Sequence, residues 1–326
     1  MENIAEYNIF IIFTSFIVIC YNKRHNIRSK LKVQHIKKFL HEYSHLIYEG
    51  RKDMLEIPES ITIAKQLNET VKGKVVRYAI ANQSEHKFAW YYGNPEAYTE
   101  ILKDEVIGYS YSRAGMIEIQ VRDQRIVLTD GATLHYYDDY SKAPKKNQLY
   151  LEFEDDTALT VTIQMYGGIW LFPVGLFDNV YYLGACTKPS VLEDEFTYEY
   201  FMSLRTEDLA KKSIKAFLAT EQRIPGLGNG VLQDILFQSK LHPKRKMSSI
   251  SEEEYKTIYH KIRSVLTEMV DGGGRDTEKD LFGNCGRYLT YLSKKTYLTP
   301  CTKCGNEIRK ESFLGGTIYY CEHCQT

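Results

Sequence analysis

Near the C-terminus two Cys-x-x-Cys pairs, Cys301/Cys304 and Cys321/Cys324, are separated by 16 residues. Each pair presents two thiolates from one tight turn, and the four together close a tetrahedron around Zn²⁺ with no position left open. One structural zinc ion is therefore expected, held in a finger. Between the pairs, residues 308–310 and 317–320 read as the two strands of a hairpin. Three of the seven cysteines, Cys20, Cys186 and Cys285, are scattered and unpaired, which fits a reducing cytoplasm rather than a disulfide framework.

A finger of this size needs a larger body to sit on. The chain has 326 residues, about twice a typical domain length, so two domains plus appendages are expected. With 43% hydrophobic and 26% charged residues it is neither fibrous nor wholly disordered. Lys and Arg balance Asp and Glu at 42 each, but unevenly along the chain. Residues 1–53 carry 9 basic and 5 acidic side chains, residues 54–200 carry 13 and 22, and residues 201–326 carry 20 and 15. A polyanion would be gripped mainly by the last segment, because each neutralised phosphate needs a cation or an amide donor nearby.

The first 53 residues stand apart as an extension. Ile9 to Cys20 is an apolar run of 12, short of the roughly 20 residues that span a bilayer as a helix. Glu2 and Glu6 precede it where a secretory signal would be basic. Membrane contact is thus not expected, with an anchor at residues 9–20 as the alternative. A third reading is that translation begins at Met54. Glu49-Gly50-Arg51-Lys52 can be encoded by purine codons resembling a bacterial ribosome-binding site, and N-terminal sequencing of the native product tests this.

From 62 to 67 the pattern is helical, after which the period changes to that of strands. Segments 75–80, 88–92, 116–121, 125–128, 149–153 and 159–163 are short, β-branched or aromatic, and bounded by turn residues, which predicts a β-sandwich or barrel. Beyond about Pro189 helices take over: 206–218, 229–238, and one starting at Ser251 with Glu254 at capping-box spacing and ending at Gly272-Gly273-Gly274.

Between the first two of these helices lies Glu221-Gln222-Arg223-Ile224-Pro225-Gly226-Leu227-Gly228-Asn229-Gly230. Gly226 and Gly228 permit positive φ and close backbone approach, and Asn229 suits an N-cap. Free amides at such a helix start can seat a phosphate, although a tight turn without a ligand fits equally well.

Pro225-Gly226-Leu227-Gly228-Asn229, the following Asp234-Ile235-Leu236-Phe237, Leu241-His242-Pro243 and the finger ending in Cys324-Gln325 resemble the helix-two-turn-helix and zinc-finger half of the formamidopyrimidine-DNA glycosylase and endonuclease VIII family. Met54-Leu55-Glu56-Ile57-Pro58-Glu59 resembles its amino-terminal signature, so the likeness runs from about Met54 to Gln325. The resemblance implies an α+β multidomain fold. Residues 54–190 would form a β-sandwich with flanking helices, 191–284 the helix-two-turn-helix domain and 285–326 the four-cysteine zinc finger. It also implies bent, damaged or distorted double-stranded DNA in the cleft with a nucleotide flipped out, no small-molecule cofactor, a monomer, and a bacterial cytoplasmic, nucleoid-associated setting.

In the family, the amine of an N-terminal proline attacks the sugar C1′ and forms a Schiff base, and the glutamate beside it moves protons. That glutamate corresponds to Glu56, and a further one to Glu59. The proline corresponds to Leu55, whose nitrogen is an amide in this chain. A bulky Leu55 also blocks removal of Met54, so an internal start leaves the amine one residue away. Consecutive Cα atoms are about 3.8 Å apart, far beyond the roughly 1 Å error that costs 10²-fold in rate. The phosphate-holding lysine corresponds to Gly115, within Arg113-Ala114-Gly115, and the finger arginine to Gly316.

On the same likeness Gly228, Asn229 and Gly230 are the DNA-contacting turn, with Lys244, Arg245, Lys246 and Arg275 adding positive charge. The expected function is recognition of DNA lesions, with glycosylase and AP-lyase chemistry lost or altered. Two alternatives stand beside it: an active glycosylase using Glu56 with water or the Met54 amine, and a non-catalytic structural or regulatory nucleic-acid-binding protein.

Overall fold

A computed structural model describes residues 7–12, 17–22, 55–129 and 131–326. In the extension, β1 (Tyr7–Ile12) and β2 (Ile17–Asn22) pair antiparallel, from Tyr7 opposite Asn22 to Ile12 opposite Ile17. The apolar run weighed above as a helical anchor is therefore strand backbone at both ends. Among the described residues, no helix is long and apolar enough to cross a membrane. Met54 lies outside the described residues.

The sandwich begins after helix α1 (Ile57–Thr70), which Pro58 starts at a position where its missing N–H costs nothing. Its strands are β3 (Val76–Ala81), β4 (Ala89–Tyr91), β5 (Ile107–Arg113), β6 (Met116–Val121), β7 (Gln124–Leu128), β8 (Ala132–Tyr137), β9 (Leu149–Phe153), β10 (Ala158–Ile163) and β11 (Gly167–Pro173), with a short helix α2 (Tyr98–Leu102) between β4 and β5. They form a four-stranded sheet ordered β3-β9-β10-β8 and a five-stranded sheet ordered β4-β11-β7-β6-β5. The pairings are antiparallel except β4 with β11.

Strand β9 shows the cause in miniature: Leu149, Leu151 and Phe153 alternate inward while Tyr150 and Glu152 stay half-buried. Ala79, Leu151 and Val161 from one sheet meet Ile117, Ile126 and Ile169 from the other in a single core, which Leu67 of α1 and Leu102 of α2 close.

The second half contains α3 (Val180–Thr187), α4 (Tyr198–Ser203), α5 (Ile214–Ala219), α6 (Asn229–Gln238) and α7 (Glu252–Asp271). The helix expected over 206–218 is broken. Ser213 caps α5 by accepting from the Ala216 amide, and Ile214 N donates to Arg245 O, so the chain turns instead of continuing. The capping box at Ser251 and Glu254 forms as read. Phe201, Phe217, Leu236, Tyr255, Ile262 and Leu266 make the second core, and Ile57 of α1 belongs to it. Helix α1 thus reaches into both cores and joins the halves. The finger hairpin is β12 (Arg309–Phe313) against β13 (Gly316–Tyr320), over a third small cluster of Phe237, Leu292, Ile308 and two cysteines.

Candidate functional site

The four finger cysteines converge, with all four sulfurs within 4.8 Å of one another. Cys301 to Cys324 is 3.8 Å and Cys304 to Cys321 is 3.5 Å. Four thiolates about 2.3 Å from one ion form a tetrahedron whose edges are about 3.8 Å, so the donor set fits a tetrahedral metal with no open position. The shell around it is built in. Asn306 Nδ2 donates to Cys304 Sγ at 3.4 Å, and Gln325 bridges the cluster to the helical half by accepting from Cys321 N and donating to Leu241 O.

That finger docks on the start of α6. Thr317 O accepts from Asn229 Nδ2 at 2.8 Å and from Gln233 Nε2 at 3.0 Å, while Gln233 Oε1 accepts from Tyr319 N. Lys215 of α5 donates to Phe313 O, beside Gly316 in the hairpin register. Asn229 is not the N-cap that its residue type suggests. Gly228 takes that place with extended backbone, and the Asn229 side chain is committed to the finger.

The amides at the start of α6 are also occupied. Glu56, from the segment before α1, accepts from Gly230 N and Val231 N at 2.8 Å each, setting a carboxylate on the positive end of the helix. The expectation of free amides there is corrected accordingly. Glu56 and Glu59 are both buried, and so is Arg275, at 2% exposure. Arg275 grips Glu59 through Nε and Nη2 at 2.9 Å each, lies 3.6 Å from Glu56, and approaches Glu278 at 3.9 Å. Its backbone amide donates to Glu59 as well. Arg275, expected to add charge for DNA, is spent inside the protein: only a buried guanidinium makes two adjacent buried carboxylates tolerable.

Three carboxylates share that one cation. Burial pushes the Glu56 carboxyl above its ordinary value; Arg275 opposes this, Glu59 adds to it, and the two amide bonds again oppose. Burial by itself would lower Arg275, but Glu56, Glu59 and Glu278 hold it well above its usual range. Glu56 is thus a buried carboxyl fixed at a helix start, its pKa moved upward by burial against the pull of Arg275 and two amides.

The glycines of the turn are explained by this packing. Gly226 has φ of +74°, and a Cβ there would lie 2.4 Å from Gly115 N. A Cβ on Gly228 would lie 2.5 Å from the Glu56 carboxylate, and one on Gly230 would lie 1.7 Å from Arg275 Nη1. Gly228 does not have positive φ; its need is for space alone. Gly115 sits in the turn between β5 and β6, where a Cβ would meet Leu55 O at 3.1 Å and Glu56 Cα at 3.4 Å. The structure therefore brings Leu55, Glu56, Glu59, Gly115, Gly228, Gly230 and Arg275 together, although they come from distant parts of the chain.

The remaining cations lie elsewhere. Lys244 pairs with Glu311 at 2.6 Å, Arg245 takes both oxygens of Glu254 at 2.6 and 2.9 Å, and Lys246 is exposed. Sequence reading missed several groups. Glu118 is buried behind the Gly115 turn and accepts from Arg113 and from Tyr182. Asp234, buried in α6, accepts from Tyr291 N and Leu292 N and anchors the strap that leads to the finger. Burial raises its pKa to about 6 against those two amide bonds. Its place as the one charged residue of α6 was the available signal.

The helix-two-turn-helix domain profile of formamidopyrimidine-DNA glycosylase matches residues 188–280. Formamidopyrimidine-DNA glycosylase of Bacillus cereus is 28% identical over 281 residues, covering 83% of this chain and 99% of that protein. The enzyme of Carboxydothermus hydrogenoformans is 35% identical over 144 residues, 42% of this chain and 52% of that one. Among solved structures, the MutM (Fpg) protein of Thermus thermophilus superposes with a TM-score of 0.68 at 21% identity, covering 83% of this chain and 98% of that one. The Lactococcus lactis Fpg in complex with abasic-site DNA does so with 0.68 at 20%, covering 83% and 99%. With the sandwich, the glycine turn over Glu56 and the four-cysteine hairpin in place, the chain carries the helix-two-turn-helix domain of formamidopyrimidine-DNA glycosylase and is similar to that enzyme in sequence and fold over most of its length.

Proposed function

We propose that the protein recognises lesions in double-stranded DNA as a monomer, with a structural zinc ion in the finger, and that the amine chemistry of its relatives is absent. The observation that carries this reading is the pair Leu55 and Glu56. The proton-handling carboxyl is retained and held by Gly230 and Val231, while the residue before it is a buried leucine with no free amine. Gly115 and Gly316 in the lysine and arginine positions point the same way. Contact with the duplex would come from the Gly228-Asn229-Gly230 turn and Lys246, with Lys244 and Arg245 contributing once released from Glu311 and Glu254.

Borohydride trapping on abasic-site DNA tests the reading: no covalent adduct is expected, and trapping at the level of a working relative would overturn it. Asn229→Ala, which also removes the bond from Asn229 Nδ2 to Thr317 O, should weaken binding to damaged duplex while the two cores stay folded. Equal affinity for the two proteins would remove the turn from the contact surface.

A second reading is favoured by the place of Glu56, buried and held at the start of α6 beside Arg275. A carboxyl positioned there could protonate a leaving base while water attacks the sugar. Steady release of damaged bases without trapping, abolished by Glu56→Gln, would establish that the protein is a water-using glycosylase.

A further inference from the structure

Helix α3 (Val180–Thr187) buries none of its residues. One side of it is fastened to the sandwich: Tyr182 donates to the buried Glu118 at 2.6 Å, and its ring packs against Phe172 and Phe177. The other side is open. Val180 and Leu183, three residues apart and so on one helix face, are 71% and 43% exposed, and Val174 and Leu176 of the loop leading in are 54% and 65% exposed. None of these four joins any of the three apolar clusters among the described residues. Large apolar side chains exposed together within ten residues mark a surface that a partner covers. The surroundings are acidic: from 174 to 199, Asp178, Glu193, Asp194, Glu195 and Glu199 are all exposed, and Lys188 is the single Lys or Arg.

Such a face fits a partner that is apolar along one stripe and basic beside it, and the extension carries that pattern. Val33, Ile36, Leu40, Tyr43 and Ile47 are spaced alternately by three and four, the interval of one helix face. Arg28, Lys30, Lys32, Lys37 and Lys38 supply five positive charges, and no acidic residue occurs from 28 to 41. These residues lie outside the described ones. A helix of about 15 residues is marginal alone in water and gains its stability from the surface it packs on.

The extension also enters the fold beside α3. A Cβ on Gly115 would lie 3.1 Å from Leu55 O, and Glu118, the partner of Tyr182, stands three residues or about 10 Å of strand beyond Gly115. Eight residue steps join Ile47 to Leu55, a reach of about 27 Å.

We propose that residues 33–47 of the extension dock as an amphipathic helix on the open face of α3, with the basic residues between 28 and 38 set against the acidic ones that flank it. This docking is independent of the DNA-binding reading and goes beyond it.

Amide exchange read by mass spectrometry on the full 326-residue chain tests it. Residues 33–47 should exchange about tenfold or more slower than an unstructured peptide, and Val180→Asp with Leu183→Asp should abolish that protection. Exchange in α7 reports whether the helical core of the variant is intact. The reciprocal pair, Ile36→Asp with Leu40→Asp, should speed exchange in residues 180–187 without altering α3 itself. Glu193→Lys with Glu195→Lys should weaken the protection, and by less at high salt. Unprotected residues 33–47 in the wild type, or protection unchanged by the α3 substitutions, overturns the docking. A concentration-dependent dimer in sedimentation that the α3 variant abolishes would seat a second copy on this face and overturn it too. So would flotation with phosphatidylglycerol vesicles that the same variant abolishes, since a lipid surface would then be the occupant.

Discussion

The four-cysteine centre and the Glu56–Arg275 cluster are both built from groups that cannot be left alone, yet they are assembled in opposite ways. The cysteines fall within 24 residues and are brought together by two turns and one hairpin, so their chemistry is written locally. Glu56 lies 174 residues before Gly230, and Glu59 lies 216 before Arg275, so these groups meet only when both cores have formed. The first centre would take a metal to offset thiolate repulsion, whereas the second has a guanidinium to offset buried carboxylates. Local spacing can therefore be read as a site before any fold is known, whereas a buried ion cluster is a product of the fold.

The largest effect expected is at the centre that depends on a ligand. Cys304→Ser, or removal of the metal by a chelator, should unfold the finger hairpin, because structural zinc binding is worth on the order of 10 kcal/mol. Elemental analysis should find one metal per wild-type chain and amide exchange should localise the loss to residues 301–324; an unaffected hairpin would break the comparison.

Arg275→Met tests the other side. It leaves Glu56 and Glu59 buried without their counter-charge and should cost about 3–5 kcal/mol in urea unfolding. A near-neutral result would mean that the cluster is a passenger of the fold. The smaller variant Gly230→Ala should cost about 1–3 kcal/mol by crowding Arg275, and a second substitution relieving Arg275 should recover part of it.

The smallest effect is one of pH. Glu56 and Asp234 both have pKa values raised in the folded state, so their contribution is full below the ordinary carboxylate value and is lost as pH rises through the folded one, for Asp234 through about 6. The share of unfolding free energy that Asp234 contributes, read as the difference between wild type and Asp234→Asn, should therefore fall as pH rises from 3.8 toward about 6. A rise over the same interval would reverse the assignment.

Much of the molecule was legible from spacing. The finger, the capping box at Ser251, helix α6 and six strands follow from local periodicity. Strands β5, β8 and β11 were not legible, because Ile107–Arg113 is rich in Ser and Tyr, Ala132–Tyr137 lacks a β-branched run, and Gly167–Pro173 opens on two glycines. Their pairing partners, not their own residues, make them strands. In the candidate site, local reading picks out residues but not what holds them in the fold. Arg275 and the α6 amides read as groups offered to a ligand, and each is engaged by a glutamate that sequence places far away.

The three glycines of the turn are each hemmed in by a different neighbour: Gly226 by the β5–β6 turn, Gly228 by Glu56 and Gly230 by Arg275. Mutational drift at any one of them is constrained by a separate stretch of the polypeptide. Among relatives, these positions should change only in company with their individual blockers, so the pattern of correlated replacements would map the interior contacts without a single coordinate.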